Sequence, residues 1–331
     1  MTELFTDYLL FAAKTGTVVV GLLVLLIAAA LAGPRRRRPQ TLLRIRHLNA
    51  EYDQMRSAME AALFGRRERR RRRRAHRHAR KVDREAERGR VYVLDFDGDL
   101  QASAVEHLRR EVTAILQIAQ PGEEVVLRLE SGGGLVHSYG LAASQLQRLR
   151  DAQLSLTVAV DRIAASGGYM MACVGERIIA APFAILGSIG VVAQLPNFNR
   201  FLRHRDIDVE LHTAGTYKRT LTVLGENTPE GRAKFQAELD ETHQLFKTFV
   251  HEHRPTLDID TVATGEHWYG AQALSHRLAD EICTSDDYLL RLSAQHELYA
   301  VRAKPPQPLG QRLLHRARAL GSRLHDWLGR L

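Results

Sequence analysis

Four short apolar runs in the central part of the chain predict buried β-strands. They are Val91 to Phe96, Val125 to Leu129, Leu154 to Val160 and Arg177 to Ala181. Helical patterns lie between them, at about 103–119 and 136–150. Because strands that alternate with helices are typical of parallel sheets with crossover connections, we expect an α/β layered domain over 91–300.

Two further patterns belong to the same domain. The stretch Ile178 to Ala193 is apolar but contains Pro182 and two glycines, which favours a buried strand–turn–strand over a membrane span. Residues 228–253 predict a long amphipathic helix, opened by Thr228-Pro229-Glu230 in the order of a helix cap.

The first 34 residues predict a membrane anchor. Gly16 to Gly33 carries no charge, and as a helix it would span roughly 27 Å, close to the hydrocarbon thickness of a bilayer. Arg35 to Arg38 follow at once, which by the positive-inside rule places the body of the protein in the cytoplasm. A cleaved signal peptide ending at Ala30-Leu31-Ala32 and a periplasmic body are the alternatives.

Residues 35–90 predict a juxtamembrane helix and linker. Apolar side chains at alternating spacings of three and four predict a helix over 41–64, with a short seam at Ile45, Leu48, Tyr52, Met55, Met59 and Ala62. Residues 66–90 are rich in arginine, and with an anchor so close we expect them to contact anionic lipid or to form a solvated linker rather than bind RNA. The tail 301–331 includes a basic amphipathic helix, 309–331, which could lie on a membrane surface or pack on protein.

Charge is unevenly distributed between these regions. Residues 35–90 hold 21 Lys and Arg against 7 Asp and Glu, whereas residues 91–301 hold 18 against 28. The body is therefore acidic, which argues against a basic nucleic-acid-binding fold. The two cysteines, Cys173 and Cys283, lack the close-spaced partners of a zinc site, so we expect two buried thiols and no metal.

Ser166 is the strongest candidate nucleophile. It follows a buried strand and small residues, and it precedes Gly167-Gly168 and an apolar helical run. A serine at such a turn is open to substrate and lies among backbone N–H groups that have no helical acceptor. An N-capping serine with glycines for close packing is the alternative interpretation of the same pattern.

A serine nucleophile needs a base. His137, His212, His243 and His267 are possible partners, but none has an obvious orienting acid in the sequence. Lys218 stands out because the chain holds six lysines against 41 arginines, and Lys218 lies in a polar, glycine-containing stretch after an apparent strand. Only lysine of the two can lose its proton near neutral pH, and burial lowers the pKa of its amine.

Two more glycine clusters could complete a site or could be ordinary tight turns. Glu130-Ser131-Gly132-Gly133-Gly134 follows a strand and precedes a helix, but it lacks the Lys-Ser/Thr of a phosphate-binding loop. Gly187-Ser188-Ile189-Gly190 offers a second hydroxyl after another strand.

Taken together, these landmarks resemble the signal peptide peptidase A family of membrane-bound serine peptidases. The motifs that carry the resemblance over roughly 91–290 are E-S-G-G-G, A-A-S-G-G-Y-M-M-A, P-N-F-N-R-F, Y-K-R-T-L-T, L-G-E-N-T and T-G-E-H-W-Y-G, together with A-P-F-A-I-L-G-S-I-G-V. An anchor followed by a basic stretch also fits this family. The resemblance implies a fold of the ClpP/crotonase type, a spiral of ββα units, and a ring-like homo-oligomer in the bacterial inner membrane.

The resemblance also assigns roles. It implies Ser166 as nucleophile, Lys218 as general base, Gly133 and Gly167 as N–H donors of the oxyanion hole, and Ser188 as the group that orients Lys218. It implies a peptide substrate, small and membrane-associated or signal-peptide-like, and no metal, nucleotide or organic cofactor. The family commonly has S-P-G-G where this chain has Ser131-Gly132-Gly133-Gly134, so the loop here lacks the rigidity of proline.

Two other function classes are compatible with parts of the sequence. A crotonase-type enzyme shares the fold and acts on acyl-CoA thioesters, but it would use acidic residues rather than a Ser–Lys pair. A membrane-tethered scaffold would hold anionic lipid or RNA through the Arg-rich segment, and its turnover would not depend on Ser166.

Overall fold

A computed structural model describes residues 6, 8, 10–22, 43–74 and 89–304. Within these residues ten strands form one sheet. The strands are β1 Leu43–His47, β2 Arg90–Gly98, β3 Glu124–Ser131, β4 Ser155–Val160, β5 Ile163–Ala165, β6 Arg177–Ala180, β7 Ile185–Gly187, β8 His267–Tyr269, β9 Glu281–Ile282 and β10 Glu297–Ala303.

Helices connect most of these strands. They are α1 10–22, α2 Leu48–Leu63, α3 66–74, α4 Val105–Leu116, α5 Val136–Asp151, α6 Gly167–Ala172, α7 Asn199–Arg203, α8 Pro229–His253, α9 Ile259–Val262, α10 Gly270–Ser275 and α11 Ser285–Leu292. The longest, α8, begins as its sequence predicts, because the Thr228 side chain accepts a hydrogen bond from the Gly231 N–H.

The main sheet runs in the order β1-β10-β2-β3-β4-β6-β9. Every neighbouring pair along this path is parallel except β1 and β10, which are antiparallel. Parallel strands place their carboxyl ends at one edge of the sheet, and the glycine-rich turns after β3, β5 and β7 all follow such ends.

Both faces of the main sheet are buried. Tyr92, Leu94 and Phe96 of β2 belong to a core that includes apolar side chains of α4, α5, α6 and α8. Val91 and Val93 point to the opposite face, where they form a second cluster with residues of α2 and α11. Burial on both faces explains why these strands are continuous apolar runs rather than alternating ones.

A small branch leaves the main sheet at its carboxyl edge. Strand β5 pairs with the last residue of β3, Ser131 opposite Ala164, and then in parallel with β7. Strand β8 closes the branch by pairing antiparallel with β7. The branch therefore places the segment after β5 between the segment after β3 and the segment after β7.

The α/β class, the four predicted strands and the three predicted helices of the domain are confirmed. The predicted helix over 41–64 is wrong at its start, because 43–47 form an edge strand against β10 and the helix begins at Leu48. The predicted seam is correspondingly broken: Leu48 packs in the second cluster, while Met55 and Met59 are exposed.

The expectation of two buried thiols holds only for Cys173. That cysteine is fully enclosed in the main core, and burial raises its pKa far above the ordinary value. Cys283 is half-buried at the end of β9, where its sulfur accepts a hydrogen bond from Arg291 at 3.1 Å.

Three sequence predictions concern segments that are wholly or partly outside the described residues. Within the described part of the chain, no helix is both long enough and apolar enough to cross a membrane. The second part of the predicted anchor, 23–33, the end of the Arg-rich segment, 75–88, and the amphipathic tail, 309–331, all lie outside the described residues.

Candidate active site

Ser166 occupies a sharp turn between β5 and α6. Its φ of 52° and ψ of −120° lie in a region that side-chain-bearing residues rarely adopt. Its backbone N–H donates to the Gly187 carbonyl at 2.8 Å, and its carbonyl accepts from the Met170 N–H at 3.0 Å. Ser166 is half-buried although its neighbours on both sides are buried, so its backbone is fixed while the residue remains partly exposed.

The two glycines after Ser166 allow the helix to start at this point. A Cβ on Gly167 would lie 2.5 Å from Cγ of Tyr139, and one on Gly168 would lie 2.4 Å from the Ser131 carbonyl oxygen. Any side chain at either position would push α6 away from β3 and α5. The glycines thus fix the distance between Ser166 and the end of β3.

Gly133 lies directly against Ser166. It has a φ of +90°, and a Cβ there would lie 2.7 Å from Cβ of Ser166 and 2.8 Å from the Gly167 nitrogen. Its own N–H, however, donates to Ser131 Oγ at 3.1 Å. Gly133 therefore lies beside Ser166, and its N–H is already satisfied by a side chain.

Ser188 follows β7 as Ser166 follows β5. In the register of these two parallel strands Ala165 lies opposite Gly187, so Ser166 and Ser188 are neighbours at the carboxyl edge. Ser188 has a φ of 51°, and its N–H donates to the Glu266 carbonyl at 2.6 Å. The preceding Gly187 packs against the indole of Trp268, where a Cβ would lie 2.7 Å from Cε3.

Lys218 lies on an exposed irregular segment between α7 and α8. Its N–H donates to the Gly215 carbonyl at 3.2 Å, closing a turn. Its side chain is exposed and makes no hydrogen bond or ion pair with any described residue. The structure therefore brings together Ser166, Gly133, Gly167 and Ser188 but does not bring Lys218 into contact with them.

None of the four alternative histidine bases forms a hydrogen bond with Ser166 within the described residues. His137, His212 and His267 are exposed. His243 of α8 is half-buried, and its Nε2 lies 3.2 Å from the Ile189 carbonyl, next in the chain to Ser188. This contact links α8 to the turn after β7.

Sequence reasoning missed the buried partners of the glycine loop. Ser131 Oγ lies 2.5 Å from the hydroxyl of Tyr139, which in turn donates to the Asp99 carbonyl at 2.8 Å. Tyr139 belongs to an ordinary amphipathic helix, so no local pattern marks it as part of the site.

With this geometry in place, comparison with known proteins identifies the family. The sequence model of Peptidase family S49 N-terminal matches residues 3–146, and that of Peptidase family S49 matches residues 148–299. The chain belongs to peptidase family S49. The family resemblance inferred from the sequence motifs is thereby confirmed.

Several curated relatives are similar over the central part of the chain. The "Probable protease SohB" of Haemophilus influenzae is 59% identical over 212 residues, which is 64% of this chain and 60% of that protein. The "Probable protease SohB" of Buchnera aphidicola subsp. Schlechtendalia chinensis is 62% identical over 200 residues, covering 60% of this chain and 66% of that protein. The matched region thus spans somewhat less than two thirds of these relatives.

Among solved structures, the 1510-N membrane-bound stomatin-specific protease aligns with a TM-score of 0.42 at 12% identity, covering 69% of this chain and 97% of that chain.

Proposed function

We propose that this chain is a serine endopeptidase in which Ser166 attacks the carbonyl carbon of a peptide bond. The observation that carries the proposal is the convergence of Ser166, Gly133, Gly167 and Ser188 at one edge of the sheet, on turns that follow β3, β5 and β7. A strained, half-exposed serine surrounded by closely packed backbone suits a nucleophile whose attack creates an oxyanion. Membership of a peptidase family and the similarity to probable proteases support the same reaction.

Lys218 is the proposed general base. It must bring its Nζ to within about 2.6–3.2 Å of Ser166 Oγ, and it must be desolvated so that the neutral amine is populated near pH 7. In the free chain it is exposed. Ser188, beside the nucleophile, is the proposed hydrogen-bond partner that orients the amine once it arrives.

A second copy of the chain is the proposed means of desolvating Lys218. The stretch 192–217, which leads up to the lysine, exposes large apolar side chains, among them Val192, Phe198, Phe201, Ile207, Leu211 and Tyr217. Exposed apolar clusters of this kind favour association with protein. We therefore propose a homo-oligomer in which this segment is covered.

The reaction then proceeds in two stages. Neutral Lys218 accepts the Ser166 proton, Oγ bonds to the carbonyl carbon, and the C–N bond breaks as the lysine returns the proton to the leaving amine. Water next attacks the acyl-enzyme with Lys218 again as base, which releases the acid and restores Ser166. Every proton is carried by these two side chains, so the sequence of steps requires no cofactor.

Backbone N–H groups are the proposed stabilisers of the oxyanion. Gly167 is the first residue of α6, so its N–H has no acceptor within the helix. The Gly133 N–H is held by the neutral Ser131 hydroxyl, and it is proposed to share its hydrogen with a developing oxyanion while Ser131 keeps the loop in place, since hydrogen bonds to ionised acceptors are about twice as strong as those to neutral ones. One such donor is typically worth about 10²–10³-fold in rate.

The proposed substrate is a small membrane-associated or signal-peptide-like peptide. Gly16 to Gly33 would anchor the chain in the bacterial inner membrane, with the catalytic domain on the cytoplasmic side by the positive-inside rule. The Arg-rich segment 66–90 and the tail 309–331 would contact anionic lipid.

Covalent labelling tests the nucleophile directly. The full chain is treated with a fluorophosphonate probe near neutral pH and in mild alkali, and the labelled peptide is identified by mass spectrometry. We expect labelling at Ser166 that is absent in Ser166→Ala and retained in Ser144→Ala, a serine on α5 whose hydroxyl donates to the Gly140 carbonyl.

Absence of labelling at Ser166 under both conditions would overturn the proposal. Binding of the full chain to anionic vesicles or to RNA, measured across a salt titration, would then test the scaffold function.

A further inference from the structure

A chain of three hydrogen bonds runs beneath the glycine loop. Tyr139 Oη donates to the Asp99 carbonyl at 2.8 Å, Ser131 Oγ lies 2.5 Å from Tyr139 Oη, and the Gly133 N–H donates to Ser131 Oγ at 3.1 Å. Tyr139 is completely buried and Ser131 is 2% exposed. These three hydrogen bonds therefore link the protein core to Gly133, which is in contact with Ser166.

The direction of each hydrogen bond in this chain follows from counting protons. The phenol has one proton, and it is committed to the Asp99 carbonyl. Ser131 must then donate its own proton to Tyr139 Oη, which leaves a lone pair on Oγ for the Gly133 N–H. Burial raises the pKa of Tyr139, so the phenol remains a donor at any physiological pH. The alternative acceptor for Ser131, the Gly98 carbonyl, is distant at 3.5 Å.

The loop needs such a restraint because three consecutive glycines form it. Glycine loses more conformational freedom on ordering than any other residue, and Gly133 must also keep a positive φ against Ser166. After the glycines, the Leu135 N–H donates to the Leu100 carbonyl at 2.9 Å. At the start of the loop, the hydrogen bonds through the Ser131 and Tyr139 hydroxyls are the restraint. They act on Gly133, the glycine in contact with Ser166.

The ring of the same tyrosine contacts the other side of the site. A Cβ on Gly167 would lie 2.5 Å from Cγ and 2.7 Å from Cδ2 of Tyr139. The ring itself is held by an edge-on contact with Phe96, with centroids 6.4 Å apart. One buried side chain thus supports Gly167 through its ring and Gly133 through its hydroxyl.

We propose that Tyr139 is the positioning residue that sets the separation of the two N–H donors of the oxyanion hole, acting directly on Gly167 and through Ser131 on Gly133. This proposal rests on the proposed function. Neither Tyr139 nor Ser131 touches substrate. Their effect belongs to the transition state, because a ground-state carbonyl does not require the hole to be fully formed.

Tyr139→Phe separates the two contacts, since it keeps the ring on Gly167 and removes the hydroxyl. Ser131→Ala removes the next member of the chain and leaves Tyr139 bonded to Asp99. For each variant we expect kcat on a peptide substrate to fall roughly threefold to tenfold, as for the loss of one hydrogen bond, with KM unchanged. Affinity for a peptide boronate, which forms a tetrahedral adduct with the serine, should fall by the same factor as kcat.

Tyr169→Phe is the matched control. Tyr169 is also fully buried, lies on α6, and donates its hydroxyl to the Leu278 carbonyl at 3.1 Å, with no link to the glycine loop. We expect it to lower the Tm about as much as Tyr139→Phe and to leave kcat and boronate affinity at wild-type values.

Equal kcat losses in Tyr139→Phe and Tyr169→Phe would overturn the positioning role, as would a change in KM alone. If Tyr139→Phe does not fold, Ser131→Ala carries the same test, and wild-type kcat in that variant overturns the proposal. Fluorophosphonate labelling of wild-type Ser166 distinguishes failure of the positioning role from failure of the proposed function. If Ser166 is labelled and the variants have wild-type kcat, only the positioning role is refuted. If Ser166 is not labelled, the proposed peptidase function is refuted.

Discussion

The proposed nucleophile and the proposed base lie in regions of opposite character. Ser166 follows a strand that pairs with β3 and β7, and its neighbours Ala165 and Gly167 are buried. Lys218 lies on a segment without regular structure, and residues 204–219 are exposed without interruption. The two ends of that segment are tied together by the side-chain amide of Asn197. Its Nδ2 donates to the Thr222 carbonyl at 2.8 Å and to the Gly225 carbonyl at 3.0 Å.

This difference shows what each half of the proposed dyad depends on. The position of Ser166 is determined by strand register and by glycines that admit no Cβ. A single folded chain therefore already holds Ser166 in place. The position of Lys218 is not determined by packing within the described residues. Activity should therefore depend on a contact that the folded core does not itself supply, and three experiments sharpen this contrast.

The largest expected effect is loss of the base. Lys218→Ala should lower turnover by about 10²–10⁴-fold, the usual contribution of a general base, without lowering the Tm, because the side chain is exposed. Lys218→Arg should be equally inactive, since arginine keeps its proton at neutral pH. Peptide hydrolysis and thermal unfolding of both variants measure this.

Lys234→Ala is the control for the lysine. Lys234 lies nearby on α8, with its Nζ 5.5 Å from the ring centroid of Tyr217. Its loss should leave turnover within about twofold, as for an exposed cation–π contact of about 0.5–1 kcal/mol. Near-wild-type turnover in Lys218→Arg would remove Lys218 from the mechanism.

An intermediate effect is expected from closing the space around Ser166. Gly167→Ala places a Cβ 2.5 Å from the Tyr139 ring, so we expect a loss of about 1–3 kcal/mol in the free energy of unfolding together with strong loss of turnover. Gly140→Ala on α5 meets no atom within 4 Å, and it should stabilise the protein by about 1 kcal/mol through helix propensity. Denaturant unfolding of the pair measures the difference, and equal stabilities would contradict the tight packing described for Gly167.

The smallest expected effect concerns the order in which an added protease cleaves this chain. A lysine-specific protease should cut after Lys218 before it cuts after Lys234 or Lys247, because those two lie within α8 and need local unfolding first. Mass spectrometry of a time course identifies the first fragments, and Lys218→Arg should abolish the early cut. Protection of Lys218 at high protein concentration would be the signature of the proposed oligomer, whereas equal cleavage at every concentration would argue against it.

Much of the domain could be predicted from local patterns. The runs around Val91, Val125, Leu154 and Arg177 are strands, since sustained apolarity over a few residues reports burial on both faces of a sheet. The start of α8 could be predicted at Thr228, because the geometry of a helix N-cap involves only the next three residues. The tight turn at Ser166 is predictable because small residues on both sides of a lone serine mark a close approach of backbone.

Local patterns are not sufficient where the residue that pairs or bonds with a given position is far away in the sequence. The strand at Leu43–His47 pairs with Glu297–Ala303, so its apolar residues were mistaken for one face of a helix. Tyr139 carried no local sign of its hydrogen bonds to Ser131 and Asp99.

Local patterns in the sequence were enough to predict the α/β class and the family, and they single out Ser166 and Lys218 as the candidate nucleophile and base. The three-dimensional fold was needed to show that Gly133, Gly167 and Ser188 surround Ser166, that Ser131 holds the Gly133 N–H, and that Lys218 lies exposed. The physical reason is that burial patterns and turn residues act over a few positions. The direction of an N–H and the neighbours of a hydroxyl instead depend on how distant strands come into register at one edge of the sheet.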